Sequence, residues 1–213
     1  MVALTFDDGP NQEATPAILE QLAGRGVAAT FFVFGSRARR HPALVARMVE
    51  AGHSVQPHCW ESHASHQELT RQALEEDIGR TLAALAELGC PRPTLWRPPN
   101  GDIDDAKSYE VAAAHGLTLV VWTLQSCDWN DGHSAERILA DVDAGTRDDA
   151  VLAADSVVLM HDTTKTVALL DGLLDRIEAR GYRTGLMAPD GPATARGGDL
   201  RFGRQDGRLP CGL

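Results

Sequence analysis

Short apolar runs rich in β-branched and aromatic residues recur along the chain: Val2 to Phe6, Ala29 to Phe34, Leu95 to Arg97, Leu117 to Thr123 and Ser156 to Met160, with a further strand around Ser54. Between them, apolar residues at three-and-four spacing predict helices over Pro16 to Arg25, Pro42 to Ala51, Leu69 to Leu88, Asp104 to His115, Ala135 to Ala144 and Val167 to Arg180. Several of these patterns stop at a glycine, Gly26, Gly52, Gly89, Gly116 or Gly181, as helix C-termini commonly do. Strands alternating with helices imply a parallel sheet. The strands lack polar alternation, so both faces of the sheet are expected to be covered, and a barrel or a doubly wound sheet would each supply that.

One domain is expected from 213 residues. The pattern assigns 1–187 to a catalytic domain and 188–213 to an irregular, Gly-, Pro- and Arg-rich tail. No apolar run approaches the roughly 20 residues that span a bilayer, and no leader-like segment opens the sequence. A strand at residue 2 leaves room for a segment upstream, so secreted and cytoplasmic placements are both open. The formal charge of −10 argues against nucleic-acid and anionic-membrane partners, because phosphate binding needs clustered Lys and Arg. Cys59, Cys90, Cys127 and Cys211 contain no C-x-x-C pair, and no bridge is expected among them. Cys59 reads as a small residue behind a metal loop rather than as a nucleophile.

Candidate chemistry falls where strands end and loops begin, the rim that carries function in either architecture. Asp7 and Asp8 follow the first strand; two adjacent carboxylates repel unless a cation or proton is shared, although Asp-Gly-Pro is also ordinary turn chemistry. A histidine cluster favours the cation. Eight histidines spread evenly over 213 residues would put about half a histidine in a 14-residue window, yet His53, His58, His63 and His66 share one. A carboxylate with two imidazoles, leaving positions open to water, is the donor set of a catalytic divalent site. Arg97, Asp128 and His161 end or follow later strands on the same rim.

Thr5 to Pro10, His58 to His63, Arg97-Pro98-Pro99-Asn100-Gly101, Asp128-Trp129 and Leu159-Met160-His161 resemble the five ordered motifs of the polysaccharide deacetylase family, the nodulation-protein-B homology domain of carbohydrate esterase family four. The resemblance implies an α/β fold, a distorted (β/α) barrel of about seven parallel strands, binding one divalent cation, zinc foremost, with cobalt or another metal as alternatives. It also implies hydrolysis of N-acetyl groups on chitin-like or peptidoglycan sugars, or of O-acetyl groups on xylan. By the same resemblance, Asp7 is the general base, Asp8, His58 and His63 the metal ligands, and His161 the general acid. Arg97 pairs with the base, Asp128 tunes the acid histidine, and Trp129 and Leu159 line the pocket for the acetyl methyl. The chemistry is coherent. An amide carbonyl is a poor electrophile that a metal can polarise, a carboxylate can take the proton of water, and a histidine held by a carboxylate can protonate the departing amine.

The sequence departs from the family pattern in places. His58 and His63 are five apart rather than four, which needs a bulge or loop. His66 precedes Gln67-Glu68-Leu69-Thr70, a stretch resembling what usually follows the second ligand, and is a rival to His63. His53 is expected to support the fold. Gln125 replaces an acidic residue and Asn100 an aromatic. With two tyrosines and four tryptophans, a short oligosaccharide or small N-acetyl sugar conjugate suits the chain as well as a long polymer. The chain is expected to act as a monomer on an acetylated carbohydrate. The competing readings are a cyclic imide or ureide hydrolase of the same fold and a non-catalytic carbohydrate-binding domain with a structural metal.

Overall fold

The computed structural model describes residues 1–61, 68–101, 106–144 and 151–190. Strand β1 (Val2–Gly9) lies at the centre of a parallel sheet. It is flanked on one side by β2 (Thr30–Phe34) and β3 (Ser54–Cys59), and on the other by β7 (Val157–His161) and β6 (Leu124–Gln125). A short β8 (Thr184–Gly185) pairs with the start of β1, and β4 (Leu95–Trp96) pairs in parallel with β5 (Thr118–Leu119). Side chains join the two sheets. The Gln56 carboxamide oxygen accepts from Thr94 N and Leu95 N at 3.0 and 2.9 Å, and Trp96 Nε1 donates to His58 O at 2.9 Å. The result is the parallel α/β fold, a distorted barrel, that the family resemblance implies.

The predicted helices are present: α1 (Ala14–Gly24), α3 (Pro42–Glu50), α4 (Arg71–Glu87), α5 (Ala106–His115), α6 (Ala135–Ala144) and α7 (Thr164–Ala179). Thr70 and Thr163 cap α4 and α7 by accepting from Ala73 N and Thr166 N, which satisfies donors the first turn leaves unpaired. A short α2 (Gly35–Arg40) is an addition, because Gly-Ser-Arg-Ala-Arg-Arg carries no apolar period to announce it.

The run Leu117 to Thr123 differs from expectation: it is not one strand. Val120 N donates to Trp96 O at 3.0 Å, continuing the pairing with β4, but Thr123 N donates to Val157 O at 3.0 Å, already aligned with β7. No residue of the run is fully exposed while it changes partners, so the sequence shows no break where the ladder has one. The cysteine expectation is also corrected: Cys127 is disulfide-bonded, while Cys59 and Cys90 are free thiols. Local spacing motifs cannot report a bridge whose half-cystines are brought together only by the fold.

The larger apolar cluster fills the layer between sheet and helices, with Leu4, Phe6, Phe31, Val158 and Met160 facing α1 and α7 residues such as Ile18, Leu170 and Leu174. Phe6 and Phe31 stack across β1 and β2 with ring centroids 4.9 Å apart. His53 supports this layer as expected: its Nδ1 accepts from Ala29 N at 3.1 Å, its ring meets Phe31 edge-on, and burial lowers its pKa. Phe31→Ala should therefore cost about 3–5 kcal/mol in urea unfolding; a loss below about 1 kcal/mol would contradict this packing.

Candidate active site

Register brings the candidates together. Asp7 on β1 stands directly beside His161 on β7, so two rim residues 154 positions apart become neighbours through parallel pairing. Asp-Gly-Pro does not form a turn directly after Asp7, and a different feature lets both aspartates serve one rim. β1 continues to Gly9, and its pairing with β2 shifts at Asp8: Asp7 opposes Phe32 and Gly9 opposes Val33. Asp8 is the extra residue of a β-bulge, at φ 72°. A bulge breaks the strict alternation of side chains along a strand and re-aims the residue it inserts.

A second bulge mirrors the first. β3 opposes β2 through Pro57 with Val33 and Cys59 with Phe34, leaving His58 as the unopposed residue. His58 therefore lies within β3 rather than after it, and it is 2% exposed. The two bulges bracket Val33, and they point Asp8 and His58 at each other: His58 Nε2 is 3.4 Å from Asp8 Oδ1. His58 Nδ1 donates to Arg97 O at 2.6 Å. A carbonyl can only accept, so in the neutral ring the proton sits on Nδ1 and Nε2 presents its lone pair toward the carboxylate. Two acceptors facing across a short gap could together hold a cation, and the imidazole is oriented by an outer hydrogen bond as metal-binding imidazoles usually are. Among the described residues no group of three His, Cys, Asp or Glu is formed. His63 and its rival His66 lie outside the described residues.

Arg97 is fully buried. Its Nη1 donates to Asp7 Oδ1 and to Thr5 Oγ1, both at 2.8 Å, and Nη2 donates to Val121 O at 2.7 Å. Its guanidinium carbon lies 4.3 Å from the Phe32 ring centroid. Burial pulls its pKa below the ordinary value, while the charge and hydrogen bond of Asp7 pull it back up. Arginine nonetheless remains charged in proteins, and Asp7, 3% exposed, is its counter-ion.

His161 and Asp128 form the second pair. His161 Nδ1 donates to Asp128 Oδ1 at 2.7 Å, and the His161 backbone N–H donates to Oδ2 at 2.6 Å. Burial disfavours the imidazolium, yet the hydrogen bond and charge of Asp128, joined by Asp7 and Asp8, push the His161 pKa up to about 9. Burial likewise works against the Asp128 carboxylate, but His161 and Thr166 hold its pKa below the usual range. Leu159 lies two residues deeper on the same face of β7 as His161, 3% exposed, opposite the face that Val158 and Met160 bury against the helices. Trp129 is half-buried next to Asp128.

Sequence reasoning missed several supports. Thr166, at the start of α7, donates its hydroxyl to Asp128; a Thr five residues after the histidine is a weak signal that only the fold interprets. Thr5 is a second acceptor for Arg97. Asp162 donates its backbone N–H to Asp7 O at 3.0 Å and accepts from Thr15 Oγ1 at 2.6 Å, and burial pushes its carboxyl up to about 6. It presses so closely on β1 that a Cβ at position 9 would fall 2.5 Å from its Oδ2, which accounts for Gly9.

A model described as polysaccharide deacetylase matches residues 1–120. The peptidoglycan-N-acetylglucosamine deacetylase PgdA of Listeria monocytogenes is 38% identical over 188 residues, covering 85% of this chain and 36% of that protein. This chain thus spans about a third of the length of the first such relatives. The chitooligosaccharide deacetylase of Sinorhizobium fredii is 34% identical over 197 residues, covering 85% of this chain and 87% of that one. Among solved structures, the family 4 carbohydrate esterase from Streptomyces lividans in complex with acetate superposes with a TM-score of 0.80 at 34% identity, covering 92% of this chain and 96% of that one.

The His161–Asp128 pair makes stability depend on pH. The folded imidazole titrates near 9, above its ordinary 6.5. Its contribution is therefore fully present below about pH 6.5 and is lost as pH rises through about 9. In chelator, urea midpoints of the wild type should fall across that window relative to those of His161→Gln. Parallel pH profiles for the two proteins would contradict the pairing.

Proposed function

Because the chain belongs to the polysaccharide deacetylase family, we propose that it hydrolyses acetyl groups from an acetylated carbohydrate, N-acetyl sugars foremost, at a site holding one divalent cation. The observation that carries the reading is the juxtaposition of two hydrogen-bonded charge pairs, Asp7 with Arg97 and His161 with Asp128, their Asp7 and His161 members on neighbouring strands, beside the facing Asp8 and His58.

Asp8 and His58, with His63 as third ligand, would hold the cation. A carboxylate with two imidazoles suits zinc, and when bound the ion supplies polarisation of the acetyl carbonyl and a more acidic water. Asp7 takes the proton from the attacking water, its carboxylate held in one orientation by Arg97 Nη1. His161 enters the reaction as imidazolium. With Nδ1 tied to Asp128, its Nε2–H is the donor available to the departing amine. The Asp128 carboxylate accepts from both the Nδ1 and the backbone N–H of His161, so the proton is delivered from a set position. Leu159 and Trp129 supply the apolar wall for the acetyl methyl.

The substrate class we favour is a short N-acetylglucosamine-containing oligosaccharide or peptidoglycan sugar, supported by the activities that the names of the similar proteins carry. The cyclic imide alternative has no observation in its favour here, and a purely structural metal would give Asp7, Arg97 and His161 no reason to gather beside it.

Acetate release from N-acetylated chitooligosaccharides and peptidoglycan fragments should stop on chelation and return with zinc. Asp7→Asn should keep the cation while turnover falls by about 10² to 10⁴, whereas Asp8→Asn should lose cation affinity first and recover in part at high zinc. Full activity in metal-stripped protein would sink the metal-dependent reading. An empty site in Asp7→Asn with an occupied one in Asp8→Asn would exchange the two roles.

A further inference from the structure

Arg37 stands on α2, outside every motif and outside the machinery described above. Its Nη1 donates to the carbonyl oxygen of Asp8 at 2.6 Å. Its guanidinium carbon lies 4.9 Å from the centroid of the Phe34 ring, and the same ring packs against His58 at 5.5 Å with a 35° tilt. One side chain therefore touches the backbone of one candidate ligand directly and reaches the other through a single ring.

Asp8 needs such help. A non-glycine residue at φ 72° carries about 1–3 kcal/mol of strain and persists only where its surroundings over-determine it. Asp162 fixes the preceding peptide through its bond to Asp7 O, and Arg37 fixes the following one. Arg37 binds the carbonyl of Asp8, which leaves the direction of the carboxylate to be set by the bulge. Phe34 is 1% exposed and so gives the His58 ring a fixed wall.

We propose that Arg37 is a positioning residue for the cation site. It locks the Asp8 bulge and, through Phe34, the His58 ring, so that both ligand atoms are placed before a cation arrives. This rests on the cation reading given above. The proposal has a distinctive sign: removing a nearby positive charge should by Coulomb's law tighten cation binding, whereas losing a positioning contact should weaken it.

The test is calorimetric titration of zinc into chelator-stripped wild type, Arg37→Met, Arg37→Lys, Asp8→Asn and Arg39→Met, the last an exposed control on the same helix. Arg37→Met should weaken zinc binding by about 10- to 100-fold, the usual cost of losing an outer support. Arg37→Lys, too short to keep both the carbonyl bond and the ring contact, should lose affinity by a smaller factor, and Arg39→Met should match the wild type. Wild-type or tighter binding by Arg37→Met overturns the proposal, as does a loss in Arg39→Met equal to that in Arg37→Met. Should Arg37→Met fail to fold, wild-type affinity in Arg37→Lys overturns it. If the wild type itself takes up no more zinc than Asp8→Asn, the cation reading falls and this inference with it. If Asp8→Asn loses zinc and Arg37→Met does not, only this inference falls.

Discussion

A guanidinium with no solvent exposure sits in the interior of this barrel, and much of the site follows from how it is compensated. Taking such a charge from water costs several kcal/mol, which is recovered only when the geometry of its partners is nearly complete. Arg97 is compensated at both Nη atoms, by the Asp7 carboxylate, the Thr5 hydroxyl and the Val121 carbonyl, and by the Phe32 face beside it, while its Nε is left without a hydrogen-bond partner. Those partners come from β1, β2 and the crossing segment after β5, so one residue ties the main sheet to the β4–β5 side, with which it shares no ladder. Its own carbonyl then fixes the tautomer of His58. The proposed base and one candidate ligand are oriented by opposite ends of a single residue.

The second constraint is the period of a β-strand. Side chains alternate strictly, so adjacent aspartates on a regular strand would serve opposite faces. β2 stays regular while its two neighbours each carry one extra residue across from it, and those extra residues are Asp8 and His58. The bulges interrupt the ladders only at the rim, leaving the pairing of β1 with β7 in register from Ala3 to Asp7. Core packing is thus undisturbed where it stabilises the fold, and the departures from regularity are confined to the place where chemistry needs two side chains re-aimed.

Most of this architecture was legible in the sequence because burial writes a simple pattern. The apolar runs gave four of the principal strands and the helix periods gave six helices, because both faces of the sheet are covered. Asp7, Asp8, Arg97, Asp128 and His161 were legible as rim residues because each follows or ends an apolar run, and His58 because it belongs to a histidine cluster. What the sequence concealed depends on long-range contact. The run from Leu117 to Thr123 is mostly apolar throughout although it changes strand partners midway. The Asp8 bulge is a matter of register against β2, for which Asp-Gly-Pro also read plausibly as a turn. Thr166, Asp162 and Arg37 act on groups far away in sequence and carry no period of their own, and α2 is too polar to announce itself. The bonded state of Cys127 belongs to the same class.

The central claim is that a divalent cation is held by Asp8 and His58 while Asp7 stays outside its coordination, committed to Arg97. Anomalous diffraction at the zinc edge from crystals grown with zinc tests this most directly. The account predicts a single strong peak within bonding distance of an Asp8 carboxylate oxygen and His58 Nε2, with Asp7 still paired to Arg97. A peak bonded to Asp7, or no peak between Asp8 and His58, would contradict it.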